Sequence, residues 1–280
     1  MQTSATTSLV PPPADIIPID APVLEARRIA RRFGAVVALA SASVTLRKRE
    51  VLGLVGDNGA GKSTLLKILS GVLPADAGQI LLEGREIQIR GAHDAMEAGI
   101  ETVYQDLALV DTMSAYQNVY LGREVLAKSW PLSMLNLVDD RAMRKRSREV
   151  LDALAVKIPS INVSVKNMSG GQRQCLAIAR ALLWGRRIVI LDEPTAALGV
   201  RETEQVLDVI RDLRNHDVSV IVVSHNMQQM MAVADRITVM RLGRTIATRT
   251  VEDTKVSEIV GLITGAIGAD AEEESVAIPA

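Results

Sequence analysis

The densest chemical signal in this chain is Gly56-Asp57-Asn58-Gly59-Ala60-Gly61-Lys62-Ser63-Thr64, which follows an apolar run and opens a helical pattern. It fits the spacing of a glycine, four residues, then Gly-Lys and a hydroxyl. Glycines let the backbone turn tightly with several N–H groups facing inward, and a helix start adds unpaired N–H groups and the positive end of its dipole. Such a loop holds a polyphosphate largely by its backbone. On this reading Lys62 reaches the β- and γ-phosphates of ATP, Ser63 ligates Mg²⁺ and Thr64 adds a phosphate contact. A glycine turn that merely capped a helix would need neither the lysine nor the hydroxyls.

A second constellation is Asp192-Glu193, two adjacent carboxylates ending the apolar run 188–191. Neighbours on a strand point to different sides. Asp192 is therefore the candidate for the Mg²⁺ sphere, and Glu193 for orienting or deprotonating an attacking water. His225 follows the apolar run 218–223 after Ser224. A strand-end imidazole there can bond the γ-phosphate or position Glu193 and the water, because its titration lies near neutrality. His93 and His216 sit in polar segments without a partner motif and are assigned no chemistry. No His, Cys and Asp grouping has structural zinc spacing, so Mg²⁺ is the only metal implied.

These groups need a scaffold that brings distant strand ends to one edge. Runs 51–55, 188–191 and 218–223 are apolar throughout, as expected of strands covered on both faces, and helical patterns separate them. That alternation predicts an α/β fold with a mainly parallel sheet, whose ligand edge lies beyond the strand C-termini. The stretch of about 107–167 lacks a comparable strand run and contains a helical pattern over 141–156, so it reads as an inserted helical subdomain. A late helix is expected over 253–264. Residues 1–22, with five prolines, and the acidic 266–280 read as flexible tails around a domain spanning 23–265.

Bulk composition narrows the function. The net charge of −1 gives no global field for nucleic acid or anionic lipid, leaving only a local cluster at Arg27, Arg28, Arg31 and Arg32. One phenylalanine, three tyrosines and two tryptophans offer little stacking platform for bases. The single cysteine, Cys175, cannot form an internal disulfide, and with no signal-like opening a reducing cytoplasm is expected. No apolar window reaches spanning length.

Met168-Ser169-Gly170-Gly171-Gln172-Arg173-Gln174 precedes the acidic pair, and with it the chain resembles the ATP-binding cassette (ABC) ATPases. The heptapeptide matches that family's signature, usually begun by Leu and here by Met. The resemblance implies a P-loop nucleoside triphosphate hydrolase core with a mainly parallel sheet, an antiparallel N-terminal β-subdomain and an inserted helical subdomain. It also implies a head-to-tail pair in which Ser169, Gly170, Gly171 and Gln172 cap the ATP held by residues 56–64 of a second copy. Phe33 resembles the aromatic that stacks on adenine, and Gln105 the glutamine that senses Mg²⁺ or water while joining the sheet domain to the helical subdomain. One departure is Ala197-Leu198-Gly199, where the family commonly ends in Asp. The usual interface carboxylate is absent, which implies communication through backbone contacts.

Within the family, Phe33 to Leu39, Gln105 to Leu109, Asn118 to Glu124 and Thr195 to Thr203 most resemble importers of simple sugars, in their single-cassette form. The implied assembly is two copies beneath two membrane permease subunits, peripheral on the cytoplasmic face, with a periplasmic or extracellular sugar-binding protein. Residues about 108–124 would form much of the docking surface, with Tyr116, Tyr120 and Leu121 as contacts or as internal packing. No direct nucleic-acid partner is expected. An ATPase for another small solute, or a soluble one working on nucleic acid or translation, is the alternative.

Overall fold

The structure, a computed structural model, describes residues 22–127, 137–184 and 187–268. Apart from Pro22 and residues 266–268, both expected tails lie outside the described residues. Ten strands form one sheet: β1 (Pro22–Phe33), β2 (Val36–Arg47), β3 (Val51–Gly56), β4 (Ala77–Leu82), β5 (Arg85–Ile87), β6 (Ile100–Val103), β7 (Ile188–Asp192), β8 (Ser219–Val223), β9 (Arg236–Arg241) and β10 (Arg244–Thr250). Their order is β5-β4-β1-β2-β10-β9-β3-β8-β7-β6. From β9 to β6 neighbouring strands pair parallel; β1, β2, β4 and β5 pair antiparallel, which is the N-terminal β-subdomain. The two halves meet where Arg244 of β10 pairs with Ser41 of β2.

The parallel strands show why their sequences are apolar without alternation. Val51 and Val55 of β3, Val189 and Leu191 of β7, and Val220 and Val222 of β8 enter one apolar cluster, whereas Leu52, Leu54, Ile188, Ile190, Ile221 and Val223 enter another. Side chains alternate between sheet faces with a period of two, and both faces are covered. Helix α1 (Lys62–Leu69) covers the second face through Leu65, Leu66, Ile68 and Leu69. A short α2 (Ala92–Glu97) follows on the way to β6. On the first face lie α5 (Gly170–Trp184) and α6 (Val200–Leu213), with α7 (Met227–Val233) and α8 (Val256–Thr264).

The helical subdomain contains α3 (Ala115–Tyr120) and α4 (Asp140–Ala153). Its buried Val119, Met143, Val150 and Leu151 join the cluster that holds α5, so the subdomain is packed onto the helix that begins at the Gly170-Gly171 pair. Tyr116 and Tyr120 are only 4% and 3% exposed, which makes them packing residues rather than docking contacts. Tyr120 meets the Trp184 ring edge-on at 5.4 Å, and Arg144 lies over the Tyr116 ring. Leu121 remains 42% exposed.

Two helix boundaries differ from expectation for local reasons. The run 141–156 starts one residue earlier, because Asp139 accepts the Ala142 N–H and caps it. It stops at Ala153, where Leu154 leaves the helix and Ala155 adopts a left-handed φ of 50°. The run 253–264 begins with a 3-10 turn at Val251–Asp253, and the helix proper starts only at Val256. Two of the four clustered arginines are paired, Arg27 with Glu25 and Arg31 with Asp76, and Asp76 also accepts the Arg32 N–H. No helix among the described residues is long and apolar enough to cross a membrane.

Candidate active site

Parallel register delivers the chemistry to one edge. Leu54 of β3 and Asp192 of β7 both pair with Val223 of β8, so Gly56, Glu193 and His225 follow strand ends that lie side by side. Gly56 has φ 154°, and a Cβ there would stand 2.2 Å from the Met240 carbonyl oxygen. At Gly61, φ is 100° and a Cβ would meet Leu39 Cδ2 at 2.6 Å and the Ala38 carbonyl at 2.8 Å. The loop is therefore pressed against β2 and β9 at both ends, while nothing lies within 4 Å of the equivalent position on Gly59. Between them Ala60 N–H closes a turn onto the Asp57 carbonyl at 3.1 Å, and the Asn58 N–H bonds Asp57 Oδ1 at 2.8 Å.

A methyl group is expected to be tolerated far worse at Gly56 than at Gly59. Gly56→Ala should destabilise the fold by about 1–3 kcal/mol and weaken nucleotide binding, since backbone must move. Gly59→Ala carries only the conformational cost of its φ of 79°. Calorimetric melts of the two variants check the ranking.

Lys62, the first residue of α1, folds its ammonium back over the loop and donates to the carbonyls of Gly56 at 2.8 Å and Asp57 at 3.0 Å. Burial lowers its pKa, opposed by the fields of Glu193, Asp57 and Asp192. Asp192 is pushed the other way: burial and the adjacent Glu193 raise its pKa, opposed by Lys62 and Lys67. Two carboxylates facing one partly desolvated ammonium make a place where an added divalent cation would be stabilised. Ser63 is exposed at the same helix start, and Thr64 follows it, partly exposed.

Glu193 holds its position by backbone as well as side chain. Its φ is 51°, unusual for a glutamate; its N–H bonds the Val223 carbonyl at 2.9 Å and its own carbonyl accepts from Ala196 at 3.1 Å. His225 Nδ1 lies 3.0 Å from Glu193 Oε1, with the imidazole 76% exposed and the carboxylate 18%. The contact joins the acid pair to the next strand end. Gln105 lies exposed just beyond β6, the strand that pairs with β7.

Phe33 ends β1 opposite Val36, is 44% exposed and carries Arg31 over its ring at 5.0 Å. The strand it turns into reaches the phosphate loop through Ala38 and Leu39 at Gly61. Exposed Val36 and Val37 extend this apolar rim, a feature the sequence reading passed over.

The Ser169 segment faces other neighbours. Ser169 and Gln172 bond reciprocally, Ser169 N–H to Gln172 Oε1 at 3.0 Å and Gln172 N–H to Ser169 Oγ at 3.3 Å, and so cap α5. Added Cβ atoms at Gly170 and Gly171 would meet Leu198 Cδ2 at 2.9 Å and Glu202 Cβ at 2.8 Å. Loop 56–64 and this segment thus open two helices with different surroundings. Sequence reasoning also missed Arg180 on α5, which donates to the carbonyls of Leu107 and Ala108 just after Gln105 at 2.8 and 3.1 Å. Nothing in its spacing marks it.

Residues 39–196 match the family model described as ABC transporter. The chain is 44% identical to the fructose import ATP-binding protein of Rhizobium meliloti over 88% of its own length and 95% of the relative's. It is 43% identical to the xylose/arabinose import ATP-binding protein of Sulfolobus acidocaldarius, over 86% and 94% of the two chains. A crystal structure of an ATP-binding cassette of an ABC transporter in its ADP conformation shares the fold, with a TM-score of 0.73 at 24% identity over 85% of this chain and 98% of that one.

Proposed function

This chain belongs to the ABC transporter ATPase family, and on that premise we propose that it hydrolyses Mg²⁺-ATP as a head-to-tail pair to power import of a monosaccharide through a membrane permease. The observation that carries the catalytic part is the convergence of Lys62, Asp192, Glu193 and His225 beside a glycine loop whose ends admit no side chain. The monosaccharide part draws support from two relatives above 40% identity, named for fructose and for xylose/arabinose import.

Loop 56–64 holds the triphosphate through N–H groups, the start of α1 and the Lys62 ammonium. For that, Lys62 exchanges its two carbonyl partners for phosphate oxygens. Phe33 supplies an exposed aromatic face for adenine at the rim. Ser63, Asp192 and Gln105 are the residues that would hold Mg²⁺, which when bound neutralises charge on the departing phosphate. Glu193 takes the proton of the attacking water, and His225 keeps that carboxylate aimed through their 3.0 Å contact.

The second donor surface, Ser169, Gly170, Gly171 and Gln172, caps ATP held by the other copy. ATP then favours the closed pair because only that state offers both surfaces, and hydrolysis withdraws the advantage. In the transport assembly the pair sits peripherally on the cytoplasmic face beneath two permease subunits, served by an extracellular or periplasmic sugar-binding protein, with Leu121 in the exposed docking stretch.

Purification from membranes with the permease attached tests the assignment. ATP turnover of that complex, with its binding protein, should rise severalfold with one monosaccharide of a panel and stay flat with amino acids and peptides. Stimulation by a non-sugar solute alone, or recovery in a ribosome or nucleic-acid complex without a permease, would refute it.

A further inference from the structure

The Gln105 side chain is exposed and no bond among the described residues holds it, so its backbone alone decides where the amide reaches. That backbone lies between two anchors. On the sheet side, Tyr104 donates its hydroxyl to Ser70 Oγ at the end of α1 at 2.7 Å. On the other side the chain turns at Ala108, whose φ of 48° is a strained, left-handed conformation for a residue with a side chain. Such a conformation persists where its surroundings over-determine it. Here Asp106 Oδ1 accepts the Ala108 N–H at 3.2 Å, and Arg180 forks across the turn, donating from Nη2 to the Leu107 carbonyl at 2.8 Å and from Nη1 to that of Ala108 at 3.1 Å.

Arg180 gives up water to do this. Burial lowers its pKa, and the neighbouring Glu101, whose field opposes that shift, is itself bonded to Arg123. A rigid fork of donors suits two adjacent carbonyls in a way that a single ammonium does not. About two turns earlier on α5, Arg173 pairs with Asp111 at 3.4 Å, so the stretch 107–111 is strapped to one helix at both ends. Arg173 also bonds the carbonyls of Met168 and Lys166, whereas both bonds of Arg180 go to the turn after Gln105. We propose that Arg180 is the positioning residue for Gln105: its fork holds the turn that aims the glutamine at the metal of bound ATP, and ties that glutamine to α5, the helix that starts at the Gly170-Gly171 pair. This role rests on the placing of Gln105 beside Mg²⁺ proposed above.

The test uses the full chain carrying Glu193→Gln, loaded with ATP and freed of excess nucleotide, and reads metal affinity rather than turnover. Mn²⁺ stands in for Mg²⁺, and its free-ion electron paramagnetic resonance signal gives the affinity directly. Gln105→Ala should weaken Mn²⁺ binding by removing a ligand. Arg180→Ala should weaken it about tenfold, the lower end of the loss seen when a group that orients a metal ligand is removed, and Arg180→Lys, whose ammonium lacks the fork, by less. Gln105→Ala combined with Arg180→Ala should bind Mn²⁺ no worse than Gln105→Ala alone, because the arginine acts through the glutamine. A residue that only supports the fold would give losses that multiply. If Arg180→Ala does not fold, Arg180→Lys completes the same cycle with Gln105→Ala. Unchanged Mn²⁺ affinity in the Arg180 variants, or losses that multiply with that of Gln105→Ala, overturns the role of Arg180. Unchanged affinity in Gln105→Ala instead overturns the metal reading of Gln105, and the role of Arg180 with it.

Discussion

Replacing Glu193 by glutamine is expected to slow ATP turnover by about 10²- to 10⁴-fold, the range over which a positioned general base acts, while ATP binding survives. The substitution preserves shape. A glutamine side chain can still bond His225, and the backbone bonds to Val223 and from Ala196 do not involve the side chain at all. What disappears is the capacity to accept a proton from water. Because the triphosphate stays whole, its bridging contacts persist and the two copies should remain joined in ATP. Single-turnover release of labelled phosphate, measured beside equilibrium nucleotide binding, checks both halves. Ordinary turnover in the variant would remove Glu193 from the water-activating role.

Lys62→Ala ranks second, with an expected loss of about 10²- to 10³-fold in turnover, comparable to deleting one donor from a preorganised anion site, together with weakened ATP binding. Two effects add here. The loop loses the ammonium that would meet the β- and γ-phosphates, and it also loses the cation that opposes Asp192 and Glu193. Asp192, already raised by burial and by Glu193, should then be still harder to ionise, which weakens any cation held there. Calorimetric titration with Mg²⁺-ATP and steady-state turnover separate the binding loss from the rate loss. A variant that binds and hydrolyses ATP as the parent does would refute the phosphate-loop assignment.

Much of this site was legible because its parts rely on local rules. Strands β3, β7 and β8 are apolar along their length since each feeds two cores, and a run apolar on both faces is visible without knowing its neighbours. Gly56 and Gly61 announce themselves because only glycine fits so close to Met240, Leu39 and Ala38. What escaped was tertiary. Asp76 neutralises Arg31 from a different part of the chain, so the arginine cluster looked more available than it is. Tyr116 and Tyr120 could face out or in until α4 and Trp184 were packed on them. Ala155, two residues beyond α4, takes a left-handed conformation that its side chain gives no hint of.

Glu202 shows the limit most clearly. Its place three residues after Gly199 suggests a helix cap, which is a local pattern and was available. That the Glu202 stem also lies against Gly171 depends on how α5 and α6 pack. At Gly199, where the family commonly carries Asp, the backbone N–H is met by the Glu202 carboxylate instead.

The account stands on the claim that one copy's Ser169 segment closes over ATP held by the other's loop. Cys175, the chain's only cysteine, is buried and its thiol pKa is pushed up to about 12, so it should stay silent toward thiol reagents in the folded protein. Chains bearing Asn58→Cys and chains bearing Ser169→Cys, both with Glu193→Gln, can therefore be mixed and treated with a short bismaleimide. A mixed, crosslinked pair that forms with ATP and not without it is the predicted result. No crosslink at ATP concentrations that saturate binding, or the same yield with and without nucleotide, would contradict it.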